Sequence, residues 1–425
     1  MEKAIEVSAE KRSFVLSEDW AIVLLSFVII FVSLFVFVSP VPAYGWKNGH
    51  DLFEKVFSAG NLSSIVIQFI STYCIGILAA YFTAKKIKHF LIVFPVVFII
   101  TLVAQIVAGN SEVKLLNLEA VIFSLSFGLI VGNLFNLPDW FRSVLSAELF
   151  VKIGLVLLGT SVIFGDILKA GSLGLIQALL VVLSVWYFAF WLCKKLKLDD
   201  ELSMMLSSAV SICGVSAAIA TAGAIKGDNK KLSYVISLVL ITAIPMMVFM
   251  PYIAKYFGFS EEVTGAWLGG SIDTTGAVVA SGTLVGETAL KISTIVKFSQ
   301  NVLLGLAAFA ISIYWTYTKE KSEAAAESKP TLAVIWDRFP KFVIGFLAAS
   351  LLFSFFLSQD SISQVKDSLK SIQTIWFVLA FTSIGLETRF SDLTSKQGTK
   401  PLFAFLLAQL FNIIITLVVA YFLFG

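Results

Sequence analysis

Charge is scarce in this chain. Of its 425 residues, 14% are Asp, Glu, Lys or Arg, about half of what a soluble protein of this length carries. Histidine is scarcer still: His50 and His89 are the only two, too few for a histidine-based metal site. The three cysteines, Cys74, Cys193 and Cys213, are odd in number and scattered through apolar segments, so they form neither a disulfide framework nor a metal motif. No G-x-x-x-x-G-K-[ST] loop is present, which argues against ATP-driven pumping by this chain. There is no basic stripe to suit nucleic acid, and a net charge of +3 says little about partners. Strict apolar/polar alternation is missing too, which excludes a membrane β-barrel. No metal and no cofactor are expected.

What is abundant is apolar side chain: 58% of residues are hydrophobic and 39 are Phe. Runs of about 20 apolar residues, each able to cross ~30 Å of hydrocarbon, predict an all-α polytopic membrane protein. They fall at 20–42, 63–83, 89–109, 119–135, 146–168, 173–193, 232–254, 292–317, 341–358, 372–388 and 401–424, which makes 11 full spans. The first run follows "MEKAIEVSAEKRSFVLSED". It is longer than a signal-peptide core and lacks a small-residue cleavage site, so it reads as a retained helix. "AKKIKH", "WFRS", "CKKLKLDD", "TKEKSEAAAESKP" and "ETRFSDLTSKQGTK" fall on one side, together with Lys3, Lys11 and Arg12. By the positive-inside rule that side, and the N-terminus, are cytoplasmic. The expected division is 1–110 (N-terminal segment and three spans), 111–317 (transport core), 318–340 (cytoplasmic linker) and 341–425 (C-terminal spans).

Two stretches do not fit the pattern of a lipid-facing helix. "LSSAVSICGVSAAIATAGAIKG" (206–227) and "LGGSIDTTGAVVASG" (268–282) put Gly, Ser, Thr and Ala at mid-depth. Small residues allow close helix approach, and they allow a helix to unwind where its backbone lines a cavity. Such breaks are how transporters hold ions and anions near the midplane. The stretches resemble each other: "SICG" begins at Ser211 and "SIDT" at Ser271, each behind an acidic lead and ahead of an apolar span. "LLGTSVIFGDILKAG" (157–171) similarly resembles "LAFTSIGLETRFSDL" (379–393). Together these predict two discontinuous or re-entrant helical elements, at 201–226 and 262–288, in an inverted-repeat secondary transporter. If 201–226 crossed the membrane, Lys226, Lys230 and Lys231 would lie outside; the positive-inside rule therefore favours hairpins entering from opposite faces.

Asp273 is the one acid inside the second stretch. A carboxylate at the bilayer centre costs at least ~2.5–3.5 kcal/mol, so it needs a partner, a proton or a cation. The next span offers Lys297 and Gln300, i and i+3 on one helix face. A functional role for Asp273 and Lys297 competes with a buried ion pair that only joins two helices. The candidate substrate- and ion-binding set is Ser211, Cys213, Gly214, Ser271, Asp273, Thr274, Thr275, Gly276, Lys297 and Gln300. Several other polar residues have ordinary explanations. Cys213 can be a small apolar filler. Glu387 and Arg389 can be interfacial charges, and Glu148 and Lys152 a helical i, i+4 pair. Gln105 and Gln177 can bond between helices.

In chain order, "LSFGLIVGN" (125–133), "KIGLVLLGTSVIFGDILKAG" (152–171), "SICGVSAAIA" (211–220), "LGGSIDTTGAVVASG" and "IGLETRFSDL" (384–393) resemble the proposed sulfate-exporter family, the YeiH-like bacterial inner-membrane proteins. The resemblance covers roughly 119–425. It implies a secondary transporter built from inverted repeats, with a scaffold that forms a homodimer. Two departures alter the charge of the implied site. The family has His-Glu where Asp273-Thr274 stand, and a basic residue in place of Gln300; Lys297 matches. The expected function is ion-coupled transport of a small inorganic anion, with sulfate or a related sulfur oxyanion implied by the resemblance alone. The expected partners are that anion, a coupling proton or Na⁺, and the bilayer, with no nucleic acid. Ion-coupled transport of a different small organic anion is the alternative. An aspartic protease would need a second carboxylate beside the "DTTG" acid, and a channel would need charge rings or a repeated filter.

Overall fold

The computed structural model describes residues 16–115, 119–318, 336–337, 339–388 and 399–425. Lys3, Lys11, Arg12, Arg389, Asp392 and most of the linker lie outside the described residues. The principal helices are α1 (Glu18–Phe35), α2 (Ala59–Phe82), α3 (Ile87–Ala108), α4 (Ala120–Leu134), α5 (Ala147–Leu158), α6 (Phe164–Lys195), α7 (Asp200–Ser211) and α8 (Val215–Ile225). They continue with α9 (Asn229–Phe257), α10 (Glu261–Ser271), α11 (Thr275–Val285), α12 (Glu287–Thr318), α13 (Lys341–Leu351), α14 (Gln359–Glu387) and α15 (Thr399–Phe424).

Among the described residues, nine helices are long and apolar enough to cross a membrane. Every predicted span falls on a helix, yet two of the eleven are short. α4 has 15 residues, about 22 Å at 1.5 Å per residue, and the other is Lys341–Phe356. One boundary differs in kind. The predicted span 146–168 ends early: α5 closes in a 3₁₀ turn over Gly159–Ser161, Val162 is extended, and α6 already begins at Phe164. The break is satisfied by another helix segment, since Ser350 Oγ donates to the Val162 carbonyl at 2.5 Å and Ser354 Oγ accepts from Phe164 N at 3.0 Å. Thr160–Ser161 therefore ends a helix, whereas Thr382–Ser383 lies inside α14. The likeness between those two segments is one of sequence, not of local structure.

The spans bury small and polar residues and turn large apolar ones outward. On α15, Ala404, Ala408, Asn412, Thr416 and Ala420 are buried, while Phe403, Leu410, Ile414 and Phe422 are exposed. That is the pattern of a helix facing lipid on one side and close-packed protein on the other. The "LSFGLIVGN" motif has the same logic. Gly132 of α4 meets Gly385 of α14 so closely that a β-carbon at Gly132 would stand 2.9 Å from the Leu386 carbonyl oxygen. Arg142 then ties the pair, donating to the carbonyls of Leu386 at 2.7 Å and Gly132 at 2.8 Å.

The two unusual stretches are helical hairpins. α7 runs inward and α8 returns: Lys231, just past α8, donates to Asp199 at 2.8 Å and Glu201 at 3.2 Å at the start of α7. α10 and α11 do the same, with Glu261 accepting from the backbone N–H of Thr288 at 3.0 Å and Ala289 at 3.3 Å. The two bases are joined by α9, whose 29 residues span about 43 Å. The hairpin bases therefore lie at opposite ends of α9, the arrangement that hairpins entering from opposite faces require. Their tips touch: a β-carbon on Gly214 would lie 3.1 Å from Asp273 Cβ.

The helices pack as two groups. The hairpins, α6, α9, α12 and α15 contact one another extensively, as do α1–α5, α13 and α14. Contacts between the groups are few, chiefly α11 with α5 and α14. A topological prediction follows from the hairpin contacts. With Cys74 replaced by Ser, cysteines introduced at Lys195 and Lys230 should label from one face of sealed vesicles, and one at Glu262 from the other. Labelling of 195 and 262 together, with 230 alone opposite, would mean that the first stretch crosses.

Candidate functional site

Each hairpin breaks for a local reason. Along α7, Ser203, Ser207 and Ser211 are buried and each donates to the carbonyl four residues back, at 2.7, 2.7 and 2.8 Å. These bonds hide the hydroxyls but compete with the helix ladder. The chain then turns at Gly214, with φ +61° and ψ −109°, a conformation that costs a residue with a β-carbon. In the second hairpin α10 ends at Ser271, Ile272 is extended, and Thr274 caps α11 by accepting from Ala277 N at 3.3 Å.

A helix end leaves its last carbonyls without intrahelical partners. Here those carbonyls face the middle of the protein, and side chains from α12 and α15 answer them. Asn412 donates to the Val210 carbonyl at 3.0 Å and to that of Ser271 at 3.1 Å. Gln409 also donates to Ser271 O at 2.9 Å, and Gln300 to Gly270 O at 2.9 Å. Lys297 donates to the unwound carbonyls of both tips, Ile212 at 2.9 Å and Ile272 at 2.8 Å, and to Gln300 Oε1 at 3.0 Å. All three of its N–H donors have acceptors, and the residue is 1% exposed. The C-terminal poles of α7 and α10, roughly half a negative charge each, are matched by this single ammonium.

The positive poles face elsewhere. The first residues of α8 (Val215, Ser216) and α11 (Thr275, Gly276), with Cys213 and Thr274, line a cavity of about 360 Å³. N–H groups in a first helical turn lack intrahelical acceptors. Asn301 of α12 borders the cavity and donates to Thr275 Oγ1 at 3.3 Å; its own Oδ1 has no partner. The opposite wall comes from the second helix group, with Glu148, Lys152, Ile384, Glu387 and Asp19. Lys152 pairs there with Asp19 at 3.1 Å and with Glu18 and Glu148 at 3.5 Å. This exceeds the i, i+4 pair read from sequence.

The structure gathers all ten predicted site residues at the tips but separates them into two sets. Cys213, Thr274, Thr275 and Gly276 line the cavity. Ser211, Ser271, Lys297 and Gln300 lie buried at the helix C-terminal ends, and Gly214 makes the turn. Asp273 sits between, 2% exposed, and its Oδ2 has no hydrogen-bond partner. It is not paired with Lys297, whose donors all go to neutral oxygens. Gln177 bonds between helices as expected, donating to Ala266 O at 2.7 Å, whereas Gln105 Oε1 has no partner. Gln409 and Asn412 escaped the sequence reading. Their signal was a polar stripe at helical spacing, Gln409, Asn412 and Thr416, in a run otherwise apolar.

The family profile described as "Conserved hypothetical protein 698" matches residues 92–405, and the chain belongs to this family of membrane proteins. A UPF0324 membrane protein of Rhodopirellula baltica is 40% identical over 349 residues, covering 80% of this chain and 64% of the relative. One of Nitratidesulfovibrio vulgaris is 38% identical over 355 residues, covering 81% and 61%. One of Nitrosomonas europaea is 28% identical over 456 residues, covering 91% and 92%. The chain thus spans under two thirds of the length of the first two relatives. No solved structure matches.

Replacing Asn412 by Ala strips the Val210 carbonyl of its donor and Ser271 of one of two. Stability should fall by about 1–3 kcal/mol, the penalty for an unsatisfied buried polar group. Replacing lipid-facing Ile414 by Ala should change it by about 0.5 kcal/mol or less. Unfolding midpoints in detergent compare the two; equal losses would contradict the capping role.

Proposed function

For this member of the family, we propose secondary active transport of a small inorganic anion, coupled to a proton or sodium gradient through Asp273. The observation that carries the reading is the pair of half-helix N-termini, from hairpins of opposite entry, at one mid-protein cavity. Amides of Val215, Ser216, Thr275 and Gly276 and the hydroxyls of Thr274 and Thr275 would take anion oxygens, as helix N-termini do elsewhere. Ser211, Ser271, Lys297 and Gln300 hold the tips in register. Cys213 and Gly214 shape the first tip. Asp273, buried with its Oδ2 unpartnered, carries the coupling ion.

The sparse contact between the two helix groups supports alternating access, one group moving against the other across the cavity. In this reading the hairpins belong to inverted repeats and the group containing α1–α5 is the scaffold, through which a homodimer forms. The face bearing Asp19, Lys152 and Glu387 is cytoplasmic by the positive-inside rule, so the cavity opens inward in a bacterial plasma membrane. Sulfate or a related sulfur oxyanion is the first substrate to try, on the family resemblance. A small organic anion is the second, because a cavity of about 360 Å³ falls within the usual range for small-molecule sites.

The test is flux in proteoliposomes. Labelled sulfate and sulfite are offered under a proton gradient and then under a sodium gradient. Wild-type uptake should follow one of the two. Asp273→Asn should lose gradient-driven uptake to the protein-free background while keeping anion exchange, because its side chain stays neutral throughout. Gradient-driven uptake intact in the variant would remove Asp273 from the coupling. Absence of flux for both anions in wild type would sink the sulfur-oxyanion assignment.

A further inference from the structure

Where the two tips meet, their unwound carbonyls converge on one point. The oxygens of Ile212 and Ile272 lie 2.9 and 2.8 Å from Lys297 Nζ, and Gln300 Oε1 adds a third at 3.0 Å. All three are neutral, and they come from three separate helical elements. Neutral oxygens on unwound backbone are how transporters coordinate alkali cations at the midplane. An ammonium with three N–H groups suits the same geometry. The Lys297 side chain is among the largest fully buried in the protein, so its stem fills the approach to the oxygens.

We infer that Ile212 O, Ile272 O and Gln300 Oε1 form a monovalent-cation site, and that the Lys297 ammonium is its resident in place of a free sodium or potassium ion. The two helix C-terminal poles demand a positive charge there, and the chain supplies it covalently. A free alkali ion then has no cage at the tips, which leaves proton coupling to Asp273. That consequence rests on the transporter reading; the cage does not.

The experiment uses the full chain in detergent, unfolded thermally in sodium, potassium, methylammonium or choline chloride at one ionic strength. Wild type should melt at the same temperature in all four. Lys297→Ala empties the cage and should melt lower in choline, which is too bulky to enter. It should regain several degrees, saturably, in at least one of the three small cations, as a bound ligand stabilises the folded state. Lys297→Met fills the same space without charge and should melt low in every salt. An Ala variant indifferent to the salt overturns the inference, and so does a Met variant as stable as wild type. The wild-type comparison needs no substitution: saturable stabilisation by sodium over choline refutes the inference even if a variant fails to fold. The readout is separate from flux. Proton-driven flux without cation rescue would remove the cage and keep the transporter, and rescue without flux would do the reverse.

Discussion

Two helices stop in the middle of this protein and point their negative ends at one ammonium. Both hairpin tips depend on that arrangement. Carbonyls released from a helix inside a membrane have no water to turn to, and each unsatisfied one costs several kcal/mol. Lys297 and the amides of Gln300, Gln409 and Asn412 answer those of both tips. The same bonds explain how a lysine can be 1% exposed: its charge faces two half-charges of opposite sign and three oxygens placed for it. The helices that deliver these groups, α12 and α15, pack directly against the hairpins. The polar residues and the unwound backbone therefore make each other tolerable, and neither would survive alone.

Once the negative poles are neutralised, the remaining charges decide the chemistry. The first turns of α8 and α11 present about half a positive charge each to the cavity, Asp273 is the acid buried between the two tips, and Asp19, Glu148 and Glu387 stand on the opposite wall. With Asp273 ionised and the cavity empty, the tips are close to neutral. A monovalent anion then adds one negative charge in a region of low dielectric, where the excess is expensive. A proton at Asp273 removes it. In the transporter reading, anion and coupling ion are linked through that balance, without any direct contact between them. In that reading the departure from a His-Glu pair matters too, because the residue identities at the tip would set how many charges accompany the anion.

The hairpins were legible because their small and hydroxyl residues interrupt an apolar background, and because three lysines after the first would otherwise fall on the wrong side. Asp273 was legible for the converse reason, a lone acid where acids are rare. The partnership of Asp273 with Lys297 was not a safe reading, since spacing along one chain says nothing about which oxygens a lysine will reach. The stripe on α15 was in plain view, yet each amide taken singly looks like routine interhelical bonding. The break at Val162 left no trace in hydropathy, because every residue from Leu155 to Leu158 and from Val162 to Phe164 is apolar and the hydrogen bonds that satisfy it come from Ser350 and Ser354. Long-range partners of this kind are invisible to any local pattern.

Chain order also concealed the division that bears most on mechanism. α13 and α14 come late in the sequence but pack with α1–α5, whereas α15, later still, packs with the hairpins. The cavity lies along the seam between these groups. On the seam's inner end, α11 meets α5 and α14 through few contacts, so little packing opposes a relative shift there. At its open mouth, Lys152 joins Asp19, Glu18 and Glu148, all from α1 and α5 of the same group. That cluster stiffens one wall without tying it to the other. Bonds that cross between the groups are few: Lys370 of α14 pairs with Glu287 of α12, and Ser354 Oγ accepts from Phe164 N at the head of α6. The tips, held by Lys297, Gln300, Gln409 and Asn412 within a single group, would then travel as one piece with whatever they carry.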